Sequence, residues 1–433
     1  VITADWTFWY DSLSPSTNEL TDRVRGFNIS QQVGFGRMRT MLATIELDND
    51  DGALTPADGG GTGTYANVDW FTQPLFIYCD FVGLTGTESA TVFHGIIQSF
   101  LSVDNGTEST VILTAYDGYS IAGAVPPDAV NISVTATGNI EDMFDELGDA
   151  ITTFQPFPRL DPATTAVAQV VNRLDASKGP DGDYSIGNTI TGTILDVISN
   201  NILPSGPGVA WPGVISGSGT TDQYEIYVID RGLMRDATNR ITFTFDEGPG
   251  DPTVTGSDII FNRIDVRYND TDLYNYAKIT SGSVGGVTAI QENTDSVHKY
   301  GMRAINANDT LNRTDTDAEH AAGSWANRYS EHRYAPRQLA FSSATIATHG
   351  PKGSEADLAD LYDLRYGLWQ PCTVTWTPTG GTSTTRDCLI TGRDISGTPD
   401  NQIVTIYLEP LEDFSSFVLD SSTYGVLDTN RVG

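Results

Sequence analysis

The sequence predicts a mainly β fold with a mixed α+β middle: two similar small β-barrel, tube-like domains flanking inserted α/β domains. Three observations carry this expectation. Short strand-like runs separated by turn residues fill both ends, helical apolar spacing is confined to the centre, and glycine is abundant (43 of 433 residues). Hydrophobic residues make up 39% and charged residues 18%, a globular balance. A chain of this length can hold about two to four units, each with its own core.

Residues 1–126 read as the first barrel domain. Strands are expected at Thr7–Tyr10, Val24–Ile29, Met41–Leu47, Leu75–Val82, Thr91–Leu101 and Thr110–Tyr116. Turn signals separate them: Asp51-Gly52, the run Gly59-Gly60-Gly61, and Asn105-Gly106, a hairpin dipeptide between two apolar runs. Short, evenly spaced strands of this kind belong to small barrels or sandwiches.

Residues 127–335 are expected to form the inserted domains. After Pro126-Pro127, residues Ile140, Met143, Phe144, Leu147 and Ile151 share one helical face, and so do Ile194, Val197, Ile198 and Ile202. Strands return at Gln223–Asp230, Ile241–Phe245, Ile259–Tyr268, Leu273–Ser281 and Val287–Glu292. A third helix is predicted over Asp317–Tyr329. Thr316 and Glu319 have capping-box spacing, and Ala318, Ala321, Ala322, Trp325 and Tyr329 form its stripe.

Residues 336–412 read as the second barrel domain, with strands at Leu339–Thr345, Cys372–Trp376, Asp387–Thr391 and Ile403–Leu408, and 413–433 as a C-terminal tail. An internal repeat links the two ends. Gln73-Pro74-Leu75-Phe76-Ile77 lies on Gln370-Pro371-Cys372-Thr373-Val374 at an offset of 297 (370 − 73), and the same offset carries Gly95 to Gly392. Both copies read Gln-Pro, strand, hairpin, strand, Gly, strand, turn, strand. Cys372 and Cys388 are symmetric about position 380, so a hairpin there sets them opposite each other on neighbouring strands. They are expected to be reduced and buried, because the strand geometry strains a disulfide and the chain is expected to be made in the cytosol.

Charge narrows the function. Asp and Glu total 56 against 24 Lys and Arg, a formal net charge of −32. Such a surface does not wrap nucleic acid, whose binding needs cations, but it suits a channel through which DNA slides without sticking. No run of about 18 apolar residues exists to span a membrane. The start, Val1-Ile2-Thr3-Ala4-Asp5, lacks the basic and apolar regions of a secretion signal. Three cysteines are too few and too scattered for a disulfide scaffold or a zinc site.

Catalytic patterns are missing: there is no G-x-S-x-G, H-E-x-x-H, C-x-x-C, phosphate loop or complete G-x-G-x-x-G. Gly61-Thr62-Gly63-Thr64-Tyr65-Ala66 reads as a loop. Asp48-Asn49-Asp50-Asp51-Gly52 reads as a polar turn, because its glycine comes one position early for a calcium loop and no closing Glu follows. Asp315, Asp317, Glu319 and His320 suit the positive end of a helix dipole, and Asp181-Gly182-Asp183 is a loop. His94, His298, His320, His332 and His349 are dispersed. Trp6, Trp9, Trp70 and Trp211 are expected in the core rather than on a sugar platform. No catalytic, cofactor-binding or metal-binding residue is assigned, no cofactor is expected, and the chain reads as no enzyme.

The stretch from Gly36-Arg37-Met38-Arg39 through Ala43-Thr44-Ile45-Glu46-Leu47-Asp48-Asn49-Asp50-Asp51-Gly52-Ala53-Leu54-Thr55-Pro56 resembles siphophage minor tail proteins. Val92–Ile97, Leu113–Gly118, Ser296–Gly301 with Ala318–Tyr334, Phe417–Asp420 and Tyr424–Thr429 continue the likeness in the same order. The resemblance implies a tail-tip or baseplate hub in the virion, assembled in the host cytoplasm. As a homotrimer, its two barrels per subunit would form a pseudo-sixfold ring that continues the tail tube. Implied partners are distal tail or tail tube proteins, tape-measure protein, and tail fibre or spike proteins, with viral DNA passing through the channel unbound. Enzymatic or fibre functions are expected on other proteins, since the chain stops soon after the second barrel. The competing expectation is a carbohydrate-binding or cell-wall-degrading tail protein acting in host adsorption.

Overall fold

Alternation of buried and more exposed residues builds several of the strands. The computed structural model describes residues 2–10, 18–32, 41–71, 73–83, 86–117, 169–173, 208–216, 223–230, 242–247, 259–268, 273–281, 287–310, 315–331, 334–343, 355–364, 368 and 370–410. The expected helices at 140–151 and 194–202, the Asp181–Asp183 loop and the 413–433 tail lie outside them. Six strands come first: β1 (Thr3–Tyr10), β2 (Val24–Gln32), β3 (Leu42–Asp48), β4 (Pro74–Val82), β5 (Thr87–Asp104) and β6 (Ser109–Tyr116). In β3, Ala43, Ile45 and Leu47 are buried while Leu42, Thr44 and Glu46 are not, the period of two expected of a half-buried strand. The Asn105-Gly106 turn forms as expected. Gly106 takes φ 84°, and the Asn105 side chain accepts from the Thr107 and Glu108 amides.

The middle contains β7 (Gln169–Arg173), β8 (Gly208–Ser216), β9 (Gln223–Asp230), β10 (Phe243–Glu247), β11 (Ile259–Phe261), β12 (Arg263–Tyr268), β13 (Tyr276–Ser281) and β14 (Thr288–Glu292). Helix α1 (Thr294–Tyr300), β15 (Ala304–Thr310) and helix α2 (Asp315–Arg328) follow. Strands β7-β9-β8 and β14-β13-β15 make two small sheets. Ala318, Ala322, Trp325 and Ala326 of α2 pack on Ala277, Ile279 and Ala289 of the second. Because α2 begins at Asp315, Thr316 lies inside its first turn and is not the cap residue its spacing to Glu319 implied. Helix α1 was not expected from periodicity, since seven residues are too few to show one. It is set by its ends, an Asn293 cap and Gly301 at φ 76°.

The last part holds β16 (Tyr334–Ser342), helix α3 (Glu355–Tyr362), β17 (Pro371–Trp376), β18 (Thr384–Thr398) and β19 (Asn401–Pro410). Two runs of five strands now match. In space they read β4-β5-β6-β3-β2 and β17-β18-β19-β16-β12, the same order of successive strands, antiparallel at every step. Strand β2 pairs antiparallel with β18 and fuses the runs into one 13-stranded sheet that also takes in β1, β10 and β11. The protein is therefore mostly β-sheet with few helices, and no closed barrel forms among the described residues. The outer edge of β2 goes to β18 instead of returning to β4. The flanking strands also differ, since β1 joins β4 antiparallel and β10 joins β17 parallel.

Register corrects the repeat in one detail. The bulged residue between β5 and β6 is Gln98, and that between β18 and β19 is Thr391, an offset of 293 (391 − 98). The Ile97 amide donates to the Gln73 carbonyl, and the Ile390 amide donates to the Gln370 carbonyl, so Gln73 and Gln370 correspond as expected. Past the first hairpin, however, the offset falls from 297 to 293. Gly95 faces Leu75, whose counterpart Cys372 faces Cys388, so Gly95 corresponds to Cys388 and not to Gly392. The second hairpin is shorter by four residues. An even number leaves the inward and outward faces unchanged.

Each glycine has its own reason. A Cβ at Gly95 would fall against the Tyr116 carbonyl and the Phe93 ring, and one at Gly392 would stand 2.9 Å from the Gln31 carbonyl of β2. We expect Gly95→Ala to lower stability by about 1–3 kcal/mol through overpacking, read as a reduced urea midpoint with an unchanged slope.

Candidate functional site

The seam where the two runs join is the most elaborate polar feature of the described core. Its strands alternate inward residues: Phe27, Ile29 and Gln31 on β2 face the core, as do Arg393 and Ile395 on β18. Arg393 is fully buried. Its Nε donates to Gln31 Oε1 at 2.6 Å, and its Nη1 donates to the Leu361 carbonyl at the end of α3. Gln31 Nε2 in turn donates to the Val92 carbonyl of β5 at 2.9 Å.

Helix α3 belongs to the second run by sequence but lies against β4 and β5 of the first. Asp363, just past its end, accepts from the Thr91 amide at 3.1 Å, and the Leu364 amide donates to the Thr91 carbonyl at 2.9 Å. Burial pulls the Arg393 guanidinium down to about 10, while Asp363 favours its charged form. Tyr362 fills the space between, its ring 4.8 Å from Phe81 and 6.0 Å from Trp6. Beside it opens a cleft of 430 Å³ lined by residues that include Ile2, Asp5, Phe81, Tyr362, Asp400 and Gln402, with no histidine, cysteine, lysine or arginine among the described lining residues.

The clusters singled out in the sequence are placed as follows. Asp48–Gly52 is a turn: Arg23 grips Asp51 through two hydrogen bonds of 2.9 and 2.7 Å, Arg25 reaches Asp48 and Asp50, and Asn49 accepts from the Leu54 amide at 2.7 Å. The Arg23 hydrogen bond holds Asp51 down to about 2. Asp315 and Glu319 lie in the first turns of α2, and the side chains of Asp317 and His320 are outside the described ones. Trp6, Trp9 and Trp70 are buried, and Trp211 lies in β8 with its side chain outside the described ones. His298 sits on α1, and His332 and His349 lie outside the described residues. Cys372 and Cys388 stand directly opposite each other, as their spacing implied, with no disulfide between them. Burial pushes the Cys372 thiol well up. Among the described residues no three His, Cys, Asp or Glu side chains converge on a metal position.

The seam was not anticipated. Its signal in the sequence is small: an arginine two residues before Ile395, on the same face as that buried residue.

No family model matches this sequence, and no curated protein does either. Solved structures do resemble the fold. The tail protein from Neisseria meningitidis MC58 matches 93% of this chain and 96% of its own, with a TM-score of 0.53 at 11% identity. The 43 kDa tail protein of prophage MuSo2 from Shewanella oneidensis matches over 95% and 99%, with a TM-score of 0.52 at 10% identity. The fold is thus one used by tail proteins, and it is shared over nearly the whole length of both chains.

Two stability consequences follow from the buried groups. Arg393→Ala leaves Asp363 and Gln31 without their cation and should cost about 3–5 kcal/mol, measurable by chemical denaturation. His94, its ring centroid 4.1 Å from that of Phe76 and tilted against it, is pushed down to about 3 by burial. An unfolded histidine titrates near about 6.5, so between those values the unfolded state binds a proton the folded state refuses, and stability falls as pH falls. The slope is at most about 1.4 kcal/mol per pH unit for one proton. Burial raises Asp360 to about 6, which works in the opposite direction: its contribution is present at low pH and is lost as pH rises. Asp360 is unchanged in the variant, so His94→Gln should show a shallower loss of stability than the wild type from pH 6.5 to 3.

Proposed function

We propose that this chain is a structural hub of a phage tail tip. It forms a trimeric, pseudo-sixfold ring that continues the tail tube and anchors spike or fibre proteins. Two five-strand runs of equal order in one chain carry the reading, because three chains with two similar units each offer six similar positions to a sixfold tube. The whole-length likeness to two tail proteins supports a tail role. The net charge of −32 supports an acidic lumen, through which tape-measure protein and DNA pass without adhering. In this reading the chain works by geometry and not by catalysis, is assembled in the host cytoplasm, and ends in the virion.

The carbohydrate-binding or cell-wall-degrading alternative loses three of its four tryptophans to the core, since Trp6, Trp9 and Trp70 are buried. Imaging the assembled tail tip tests the hub. Three copies per ring are expected, a mass of 140 kDa (3 × 46.7). Six copies per ring, or a monomer that clears cell wall, would sink it.

A further inference from the structure

Among the described residues the joint between the runs is made once, and both halves of a second joint carry no paired strand. One edge of β18 is shared end to end: β17 pairs with Thr384–Leu389, and β2 with Gly392–Gly397. The equivalent edge of β5 carries β4 from Thr87 to Ile96. The offset of 293 then sets Ser99–Asp104 where Gly392–Gly397 stand, and among the described residues no strand pairs with that edge. Strand β12 is the counterpart of β2, and among the described residues it pairs only with β16.

Register tells whether the open halves fit each other. Phe27 faces Ile45 on β3, and Ile264 faces Leu339, the counterpart of Ile45 on β16, so Phe27 corresponds to Ile264. Phe27 pairs with Gly397, whose counterpart is Asp104. Carrying this register over opposes Ile264 to Asp104, Asp265 to Val103, Val266 to Ser102 and Arg267 to Leu101. Phe100, Ile264 and Val266, all packed against the core, then share one face of the joined sheet. Leu101 (53% exposed) and Val103 (43%) share the other with Arg267 and Asp265. A slip by one residue would turn core-facing residues outward. Exposed aliphatic side chains on an edge strand are otherwise a liability. Arg263 and Arg267, exposed and both paired with Asp265, leave this strand with one net positive charge in a chain whose acids would make two copies repel.

We propose that a second copy of this chain docks its β12 antiparallel on Ser99–Asp104 of β5, repeating the β18–β2 joint, so that copies assemble head to tail. This rests on the ring-forming reading above and names the strands that make the contact.

Cysteine pairs in the full chain test it. Opposed residues of an antiparallel pair lie about 4.5–5.5 Å apart, within the Cα span of about 4.4–6.8 Å that a disulfide needs, and the strain that strand geometry puts on such a bond makes it easier to reduce without preventing its formation under oxidant. With Leu101→Cys and Arg267→Cys together, mild oxidation of concentrated protein should convert the monomer band into a reducible ladder of dimers and trimers. Each single variant, and the mismatched pair Leu101→Cys with Ile264→Cys, should stay monomeric on the gel. Val103→Cys with Asp265→Cys repeats the test on the neighbouring opposed pair, should the first pair fold poorly. The native cysteines are buried and do not compete. Oligomers seen by sedimentation without either crosslink, or with equal crosslinking of the mismatched pair, would overturn the strand pairing and leave the ring reading standing. A chain that neither sediments above monomer nor crosslinks would overturn both.

Discussion

The β2–β18 joint is the constraint on which the rest of the fold depends. It is made between residues 360 to 370 positions apart in sequence, such as Ser30 and Asp394, whose side chains bond at 2.7 Å. Closing so large a loop has an entropic cost that no local turn offsets, so the joint must be held by what it buries. Apolar burial supplies most of that through Phe27, Ile29 and Ile395. The cation of Arg393 adds selectivity. A buried guanidinium is tolerable only with acceptors in place, and here one acceptor comes from each of two elements, Gln31 on β2 and Leu361 at the end of α3. Misplacing either element leaves a buried charge unanswered.

Helix α3 shows how the same constraint reaches further. It follows β16 in the chain, yet it lies on β4 and β5, and Asp363 and Leu364 hold Thr91 from both sides. The second run thus covers the first with its own insertion, and the two runs share one core that includes Trp6, Phe81, Tyr362 and Leu389. A duplication read as two separate barrels would predict two cores. Exchange of a helix across the seam makes them one.

Much of the strand content was legible because alternation is local. The residues of β3 and of β17 state their own inward faces, and the Asn105-Gly106 and Cys372–Cys388 hairpins state their own centres. The seam was not legible, because Arg393 looks like any surface arginine until β2 is known to lie beside it. Helix α3 was missed for a related reason: it is only eight residues long, and its burial comes from strands far away in sequence. The glycine match failed for a subtler one. Gly95 and Gly392 are spaced like equivalents, but a four-residue difference in hairpin length moved the true equivalence while preserving the pattern of faces.

The proposed joint between copies is alike in register to the β2–β18 joint and unlike it in chemistry, and the difference fits their roles. Phe100 stands at the position equivalent to Arg393 (393 − 293), and Ser99 at the position equivalent to Gly392. The joint inside the chain forms during folding, when α3 and β2 can be placed around the cation together, so a buried charge costs little extra and specifies the arrangement. A joint between finished copies has no such opportunity. It must form from surfaces already in water, where stripping a guanidinium of solvent would oppose association, whereas half-buried Phe100 with exposed Leu101 and Val103 gains from being covered. Replacing the cation with an aromatic ring at this one position is the change that would turn a folding contact into a docking contact. It leaves the backbone pairing, and therefore the angle from one unit to the next, the same at both joints.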